Sequence, residues 1–378
     1  MTTTGRVRVL VVDDSALMRK LLADMLRSSP EIEVVGSARD GAEAIEQAVR
    51  LKPDVITLDV EMPGMSGLEA LPALLEVHEA PVVMVSALTQ EGAEVTLQAL
   101  ELGAVDFLPK PGPNKIAELK AAADLLVSKV LAAAQSRVRP ARPPAPRPLA
   151  PTPRGEEPEA GPAIASPPAT PCIAIGISTG GPQALSQTLP RLAPPISPVL
   201  IVQHMPAQFT AAFAARLARQ CAVAVKEAKE GDRVLPNQIL IAPGGRHMTV
   251  VGRPPQVRVV LSDGPLVSGH RPSVDMLFHT VARIYASASA GIIMTGMGRD
   301  GIDGCKRILL AGGATFGQDE PTSVVYGMNK AAYLEGAVRR QFALDELPGI
   351  IERLSRIDGG SLALPVGRDE GGVSENKP

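Results

Sequence analysis

Ser178 lies in Gly176-Ile177-Ser178-Thr179-Gly180, directly after the apolar run Cys172-Ile173-Ala174-Ile175. A strand that ends in Gly-x-Ser-x-Gly and turns into a helix is a nucleophile elbow. The sharp turn lifts the hydroxyl clear of the sheet, and the new helix offers free backbone N–H groups where an oxyanion would form. A serine hydroxyl is a weak nucleophile and needs a base. Of the five histidines, His204 ends the apolar run Val199-Leu200-Ile201-Val202-Gln203, which puts it at the same sheet edge as Ser178. His78 belongs to the other half of the chain. His247 follows a Gly-Gly turn and fits a hairpin. His270 precedes Arg271-Pro272-Ser273, ahead of a helix with Ser273 as N-cap, and His279 falls inside that helix as a packing residue. His204 is therefore the expected base and His270 a substrate-loop residue. The third partner must orient the imidazole and stabilise its cation. Asp300 follows the run Ala290-Gly291-Ile292-Ile293-Met294-Thr295, again at a strand's carboxyl end, whereas Asp263, Asp275 and Asp303 directly end no equally strong strand. The chain order Ser, His, Asp differs from the Ser, acid, His order of α/β-hydrolases.

Gly296-Met297-Gly298-Arg299-Asp300-Gly301 also spells Gly-x-Gly-x-x-Gly, with Asp319 about 20 residues on, as in a dinucleotide-binding unit. Two features weigh against that reading. Asp300 would set a carboxylate beside an anionic pyrophosphate, where the ligand should bring the negative charge. The motif also falls late, with too few strands left for a second mononucleotide half.

A second group of chemical residues lies near the N-terminus. Asp13 and Asp14 follow the run Val9 to Val12, and Asp59 follows Val55 to Leu58. In an open parallel sheet, sites form at the carboxyl ends of strands where the strand order reverses. Three carboxylates converging there repel one another unless a divalent cation joins them, and hard oxygen ligands point to Mg²⁺. Ser86 ends a fourth run, and Lys110 follows a fifth in Phe107-Leu108-Pro109-Lys110-Pro111. A hydroxyl and an ammonium there could hold a phosphoryl group on Asp59. Singly, Asp14 or Ser15 could be a helix cap and Lys110 a surface lysine, but five successive strand ends carry these groups together.

The elements that position both groups are legible as alternation. Short β-branched runs at 7–12, 32–36, 54–58, 81–85 and 105–108 alternate with helical patterns at 15–28, 41–51, 67–77, 91–102 and 114–136. This predicts a five-stranded parallel sheet covered on both faces. From Pro140 to Pro171 proline, alanine and small polar residues dominate and periodicity is lost, which predicts an extended, flexible linker. Beyond it, strands are expected at 172–177, 198–203, 223–226, 238–242, 248–251, 257–261, 289–295 and 313–316. Helices are expected at 181–191, 207–220, 273–286, 302–311 and 323–332, and a hairpin around Arg246. The Gly-rich, charged stretch from 358 reads as a disordered tail.

Composition narrows the function classes. A chain of 378 residues predicts two or three domains, and 45% apolar residues suffice for real cores. Aromatics make up only 2%, with no Trp, and the net charge is −2, so neither base stacking nor a basic nucleic-acid footprint is expected. Three widely spaced cysteines, Cys172, Cys221 and Cys305, fit reduced thiols rather than a disulfide framework or a zinc site. Without a signal-like N-terminus or a run near the ~18 apolar residues of a membrane span, a soluble cytoplasmic protein is expected. Nothing in the sequence demands more than a monomer.

Residues 7–125 resemble a bacterial response-regulator receiver domain through Val-Val-Asp13-Asp14-Ser, Leu58-Asp59-Val-Glu61-Met62-Pro63-Gly64, Met84-Val85-Ser86-Ala87 and Phe107 to Pro111. Residues 172–357 resemble the catalytic domain of the CheB-type chemotaxis methylesterases. The matching segments are Gly176 to Pro182, Val202-Gln203-His204-Met205-Pro206, Ala242 to Met248, His270-Arg271-Pro272-Ser273-Val274-Asp275 and Thr295 to Gly301. Ile177 stands where that family commonly has Ala.

The resemblance implies a flavodoxin-like receiver over 5–136, a Pro-rich linker over 137–170, a doubly wound, mostly parallel α/β esterase domain with a β-hairpin over 171–357, and a tail over 358–378. It implies Mg²⁺-dependent phosphorylation of Asp59 by a CheA-type histidine kinase, with Asp13, Asp14, Asp59 and the Glu61 carbonyl around the metal and Ser86 and Lys110 as switch residues. It implies Ser178 as nucleophile, His204 as base, Asp300 as orienting acid, and Thr179, Met297 and His270 as oxyanion or substrate residues, with no cofactor in the esterase reaction. The implied substrates are γ-methyl glutamyl esters, and certain glutamines, on methyl-accepting chemoreceptors in membrane receptor arrays. The inhibitory role of the receiver, released on phosphorylation, is a further expectation.

Overall fold

The computed structural model describes residues 5–87, 89–110, 116–136 and 170–356. Apart from Thr170, the expected linker lies outside the described residues, and so does the expected tail.

The N-terminal half alternates strands and helices: β1 (Val7–Val12), α1 (Ala16–Arg27), β2 (Ile32–Ala38), α2 (Gly41–Leu51), β3 (Val55–Asp59) and α3 (Gly67–Val77), then β4 (Val82–Ser86), α4 (Gln90–Glu101), β5 (Asp106–Pro109) and α5 (Ile116–Ala134). The strands form one parallel sheet in the order β2-β1-β3-β4-β5. β3 and β4 are buried along their whole length, as mostly apolar strands covered on both faces require. Helix starts follow their caps. Ser15 accepts from the Met18 amide, Asp40 from Glu43 and Thr89 from Gly92. Ser66 and Glu69 form a reciprocal capping box. Because β1 sits between β2 and β3, the order reverses there, and Asp13 and Asp59 end the two strands flanking that crevice.

The second half contains β6 (Cys172–Ile177), α6 (Gly181–Thr188), β7 (Val199–Gln203), α7 (Ala207–Gln220), β8 (Ala224–Glu227), β9 (Gln238–Ile241), β10 (His247–Val251) and β11 (Arg258–Ser262). It continues with α8 (Val274–Tyr285), β12 (Ser289–Ile293), α9 (Ile302–Leu310), β13 (Ala314–Gln318), α10 (Met328–Leu334), β14 (Arg340–Phe342) and α11 (Leu347–Ser355). Seven strands make a parallel sheet in the order β14-β13-β12-β6-β7-β9-β8. The central strands β12, β6 and β7 are wholly buried, and the edge strand β8 is half open.

Several expectations are corrected. The antiparallel hairpin is β10 with β11, and Arg246 lies before it, in the crossing from the main sheet to the small one. His279 does not pack inside; it is exposed on the outer face of α8. α10 starts at Met328 rather than 323, because Ser323 and Val325 are drawn into bonds with the Asp319 carbonyl and the Thr295 hydroxyl. Neither β14 nor α11 is anticipated by the sequence pattern, although Leu347, Ile350, Ile351 and Leu354 of α11 are all buried.

The two halves pack on each other. Phe107 of β5 meets Phe209 of α7 with ring centroids 4.3 Å apart. Glu101, at the end of α4, forms a two-pronged ion pair with Arg216 of α7, its Oε1 accepting from Arg216 Nε at 2.6 Å.

Candidate active site

β6, β7 and β12 are neighbours, so their carboxyl ends bring Ser178, His204 and Asp300 to one edge. The elbow is tightly built. Gly180 has φ +77°, and a Cβ there would come within 2.5 Å of Val324 Cβ. Gly296 presses on the nucleophile, where a Cβ would lie 2.6 Å from Ser178 Cβ. The Ser178 amide bonds to the Thr295 carbonyl at 3.0 Å, and the Gln203 side-chain amide bonds to the Ser178 carbonyl at 2.9 Å. Gln203 thus ties β7 to the elbow, a role signalled only by a polar residue ending an apolar strand.

His204 Nε2 lies 2.9 Å from Asp300 Oδ2. Nδ1 of the same ring is buried without a partner. The Nε2–H donated to Asp300 leaves Nδ1 as the lone-pair nitrogen, the one able to take a proton. The Ser178 hydroxyl has no hydrogen bond among the described residues.

Asp300 is 1% exposed, and the start of α8 fills its remaining lone pairs. The Ser273 hydroxyl donates to Oδ1 at 2.8 Å, the Val274 amide to Oδ2 at 2.7 Å and the Asp275 amide to Oδ1 at 3.1 Å. Burial alone would raise this carboxyl. The hydrogen bond and charge of His204 and the two amides outweigh it and hold Asp300 below the usual carboxylate range. A helix N-terminus thus keeps the acid ionised beside the imidazole. Ser273 is foreseeable as an N-cap, but its bond to Asp300 is not. The same contacts fill the turn that resembled a dinucleotide fingerprint, and Asp319 is bonded within its own turn to Thr322. Losing the Ser273 hydroxyl removes a charge-assisted bond of about 1.5–3 kcal/mol. Ser273→Ala should therefore slow reaction at Ser178 roughly 10- to 100-fold, measured as the rate of labelling by a fluorophosphonate.

Asp275 is buried, accepts from the Gly304 amide at 2.7 Å, and is pushed up to about 6 by burial despite that bond, with the Asp300 charge adding to the rise. Asp303 is exposed, and Asp263 pairs with Arg246 at the surface. The His247 ring bonds the Pro265 carbonyl, and that of His78 the Pro53 carbonyl. Met297 is 37% exposed beside the elbow, and Thr179 is buried. No disulfide forms, and burial pushes the Cys172 and Cys221 thiols up to about 12, too high for either to act as a thiolate nucleophile.

In the N-terminal half, Asp13, Asp14 and Asp59 offer oxygens within 4.8 Å of one another. Lys110 Nζ lies 2.6 Å from Asp59 Oδ2 and 3.0 Å from Asp13 Oδ2. Burial pushes Asp59 up to about 6 against the Lys110 hydrogen bond, and the Asp13 charge adds to the rise. Asp13 Oδ2 is buried and meets the Lys110 ammonium. Three converging carboxylates, two of them buried, with one ammonium to offset them form an all-oxygen set that fits a hard divalent cation. Glu61 and Lys110 line the same 650 Å³ cleft. Ser86 is buried, its hydroxyl donating to the Gly92 carbonyl at 3.3 Å in the first turn of α4.

The receiver-like half sits on both flanks of Ser178. Asp106 Oδ2 accepts the Thr179 hydroxyl at 2.5 Å, and its Oδ1 accepts from Lys129 Nζ at 2.7 Å. The Ser128 hydroxyl approaches Met297 Sδ at 3.8 Å. A phosphoacceptor-type acidic pocket clamped onto an α/β domain with a serine elbow defines a response regulator with an enzymatic output.

Family models match both halves: CheB methylesterase over residues 173–351 and response regulator receiver domain over residues 9–124. The chain belongs to the CheB family of response-regulator methylesterases. It is 47% identical over 356 residues to protein-glutamate methylesterase/protein-glutamine glutaminase 2 of Koribacter versatilis, covering 92% of this chain and 96% of the relative. It is 43% identical over 378 residues to protein-glutamate methylesterase/protein-glutamine glutaminase of Pyrococcus abyssi, covering 97% and 99%. Among solved structures, the Thermotoga maritima CheB methylesterase catalytic domain is 34% identical, covers 50% of this chain and 98% of its own, and gives a TM-score of 0.47.

Proposed function

We propose that this protein is a phosphorylation-activated protein-glutamate methylesterase and protein-glutamine glutaminase. Its receiver spans 5–136 and its catalytic domain 171–357. The observation that carries this reading is the His204–Asp300 pair at the sheet edge of the Ser178 elbow, with the receiver bonded to Thr179 beside it. The substrates are γ-methyl glutamyl esters, and certain glutamines, on cytoplasmic helices of chemoreceptors. A CheA-type kinase supplies the phosphoryl group, and the protein works as a cytoplasmic monomer.

Ser178 Oγ attacks the ester carbonyl carbon as His204 Nδ1 takes its proton. Asp300 holds the imidazole by Nε2 and stabilises its cation. The amides of Thr179 and Met297 receive the developing oxyanion. His204 returns the proton to the departing methoxide, and methanol leaves a glutamyl ester on Ser178. Water then attacks, His204 takes its proton, and the carboxylate is freed. A glutamine follows the same course with ammonia as leaving group.

In the receiver, Asp13, Asp14, Asp59 and the Glu61 carbonyl would hold Mg²⁺, which neutralises charge on the incoming phosphoryl group. Lys110 and Ser86 then grip the phosphoryl oxygens. A phosphoryl group on Asp59 is a stronger acceptor than the Gly92 carbonyl, so Ser86 turns toward it and releases the start of α4. That helix carries Glu101, so the change reaches the Arg216 contact and loosens the receiver from the elbow. Chelating Mg²⁺ should abolish stimulation by a small phosphodonor and leave the unstimulated rate unchanged, as read by methanol release. Stimulation that persists in excess chelator would contradict the metal assignment.

A further inference from the structure

His270 makes an unusual contact with the base. Its ring and the His204 ring have centroids 3.7 Å apart and planes within 4°. The ring is delivered by a two-residue hairpin, in which the Val267 and His270 amides and carbonyls exchange bonds of 3.1 and 2.9 Å. Ser268 and Gly269 both take positive φ, +51° and +80°, as a type I′ turn requires. Ser268 is a non-glycine held in that region, and its hydroxyl is 3.4 Å from Asp275 Oδ2. Asp275 is fixed in turn by the Gly304 amide, so the hairpin is pinned to α8, the same helix whose N-terminus holds Asp300.

The His270 ring nitrogens make no hydrogen bond among the described residues. Three charged or titratable groups act on the ring: His204 at the end of β7, Asp300 beyond β12, and Lys129 of α5. Burial, then His204 and Lys129, push its pKa down to about 4 against the opposing charge of Asp300, so the ring is neutral at pH 7. A second charged ring would repel the imidazolium that catalysis forms at His204, whereas a neutral face against it excludes water and attracts the cation.

We propose that His270 is a positioning residue acting through His204. Its flat ring covers one face of the imidazole and fixes its plane, so that Nε2 stays on Asp300 while Nδ1 serves Ser178. The inference rests on the proposed roles of Ser178 and His204, and it replaces the substrate contact expected from the sequence.

The test uses the full-length protein with phosphodonor and Mg²⁺. It reads two rates, Ser178 labelling by a fluorophosphonate and methanol release from a methylated receptor fragment. Misplacing the base slows both, so His270→Ala should lower labelling and kcat roughly 10- to 100-fold with KM nearly unmoved. His270→Phe keeps a flat ring without nitrogens and should recover most of both rates. Unchanged labelling in His270→Ala would overturn the proposal and place His270 on the substrate. His270→Phe as slow as His270→Ala, with both melting like wild type, would overturn it by requiring a ring nitrogen. The wild-type rates judge the esterase reading itself, so the variant-to-wild-type ratios judge His270 alone.

Discussion

Ser178→Ala should lower methanol release from a methylated receptor fragment by ~10⁴- to 10⁶-fold. The size follows from the chemistry. Without Oγ no glutamyl-enzyme can form, and the His204–Asp300 pair has no nucleophile to activate. What remains is the catalysis supplied by oxyanion donors and binding alone, which acts on water attack. The variant should fold normally, because the Ser178 hydroxyl makes no hydrogen bond among the described residues and its loss leaves no buried group unpaired. A melting temperature within a few degrees of wild type, with activity gone, separates chemistry from stability. Wild-type turnover in Ser178→Ala would end the mechanism.

The second large effect concerns the lid. The receiver contacts Thr179 and Met297 on either side of the nucleophile, and Glu101–Arg216 is its two-pronged charged tie to α7. Bonds between charged groups contribute about 1.5–3 kcal/mol, and each 1.4 kcal/mol is a factor of about ten in an equilibrium. Glu101→Arg replaces that attraction with repulsion. Unphosphorylated activity should therefore rise roughly 10- to 100-fold and approach the phosphodonor-stimulated rate. Arg216→Glu should do the same alone, and the double swap should restore the low basal rate, since the pair is remade with its charges exchanged. Basal rates that fall in the single variants would mean that the receiver activates by contact instead of blocking.

What was legible in the sequence was what depends on local pattern. Mostly apolar runs at 54–58 and 172–177 became central strands, and Ser15 and Ser273 became caps, because those signals need only a few neighbouring residues. Ser178, His204 and Asp300 could be gathered at one edge because each follows a strand. What failed was long-range or marginal. The hold of α8 on Asp300 joins residues 25 to 27 apart, and the Asp106–Thr179 bond joins residues 73 apart. Neither leaves a trace in periodicity. Two strands flank Arg246 as in a hairpin, but those strands belong to different sheets. α11 is nine residues long and runs toward a Gly-rich stretch, so its buried stripe was too short to stand out. His279 sits in a largely buried helix yet faces outward, a matter of angle around the axis that burial of its neighbours does not reveal.

The central claim is that Asp59 phosphorylation controls esterase chemistry at Ser178. It is tested most directly by methanol release from methylated receptor fragments, with and without a small phosphodonor plus Mg²⁺, in wild type and Asp59→Ala. Release that rises with phosphodonor only in the wild type is the expected result. Equal stimulation in Asp59→Ala, or no release from either protein, would contradict it.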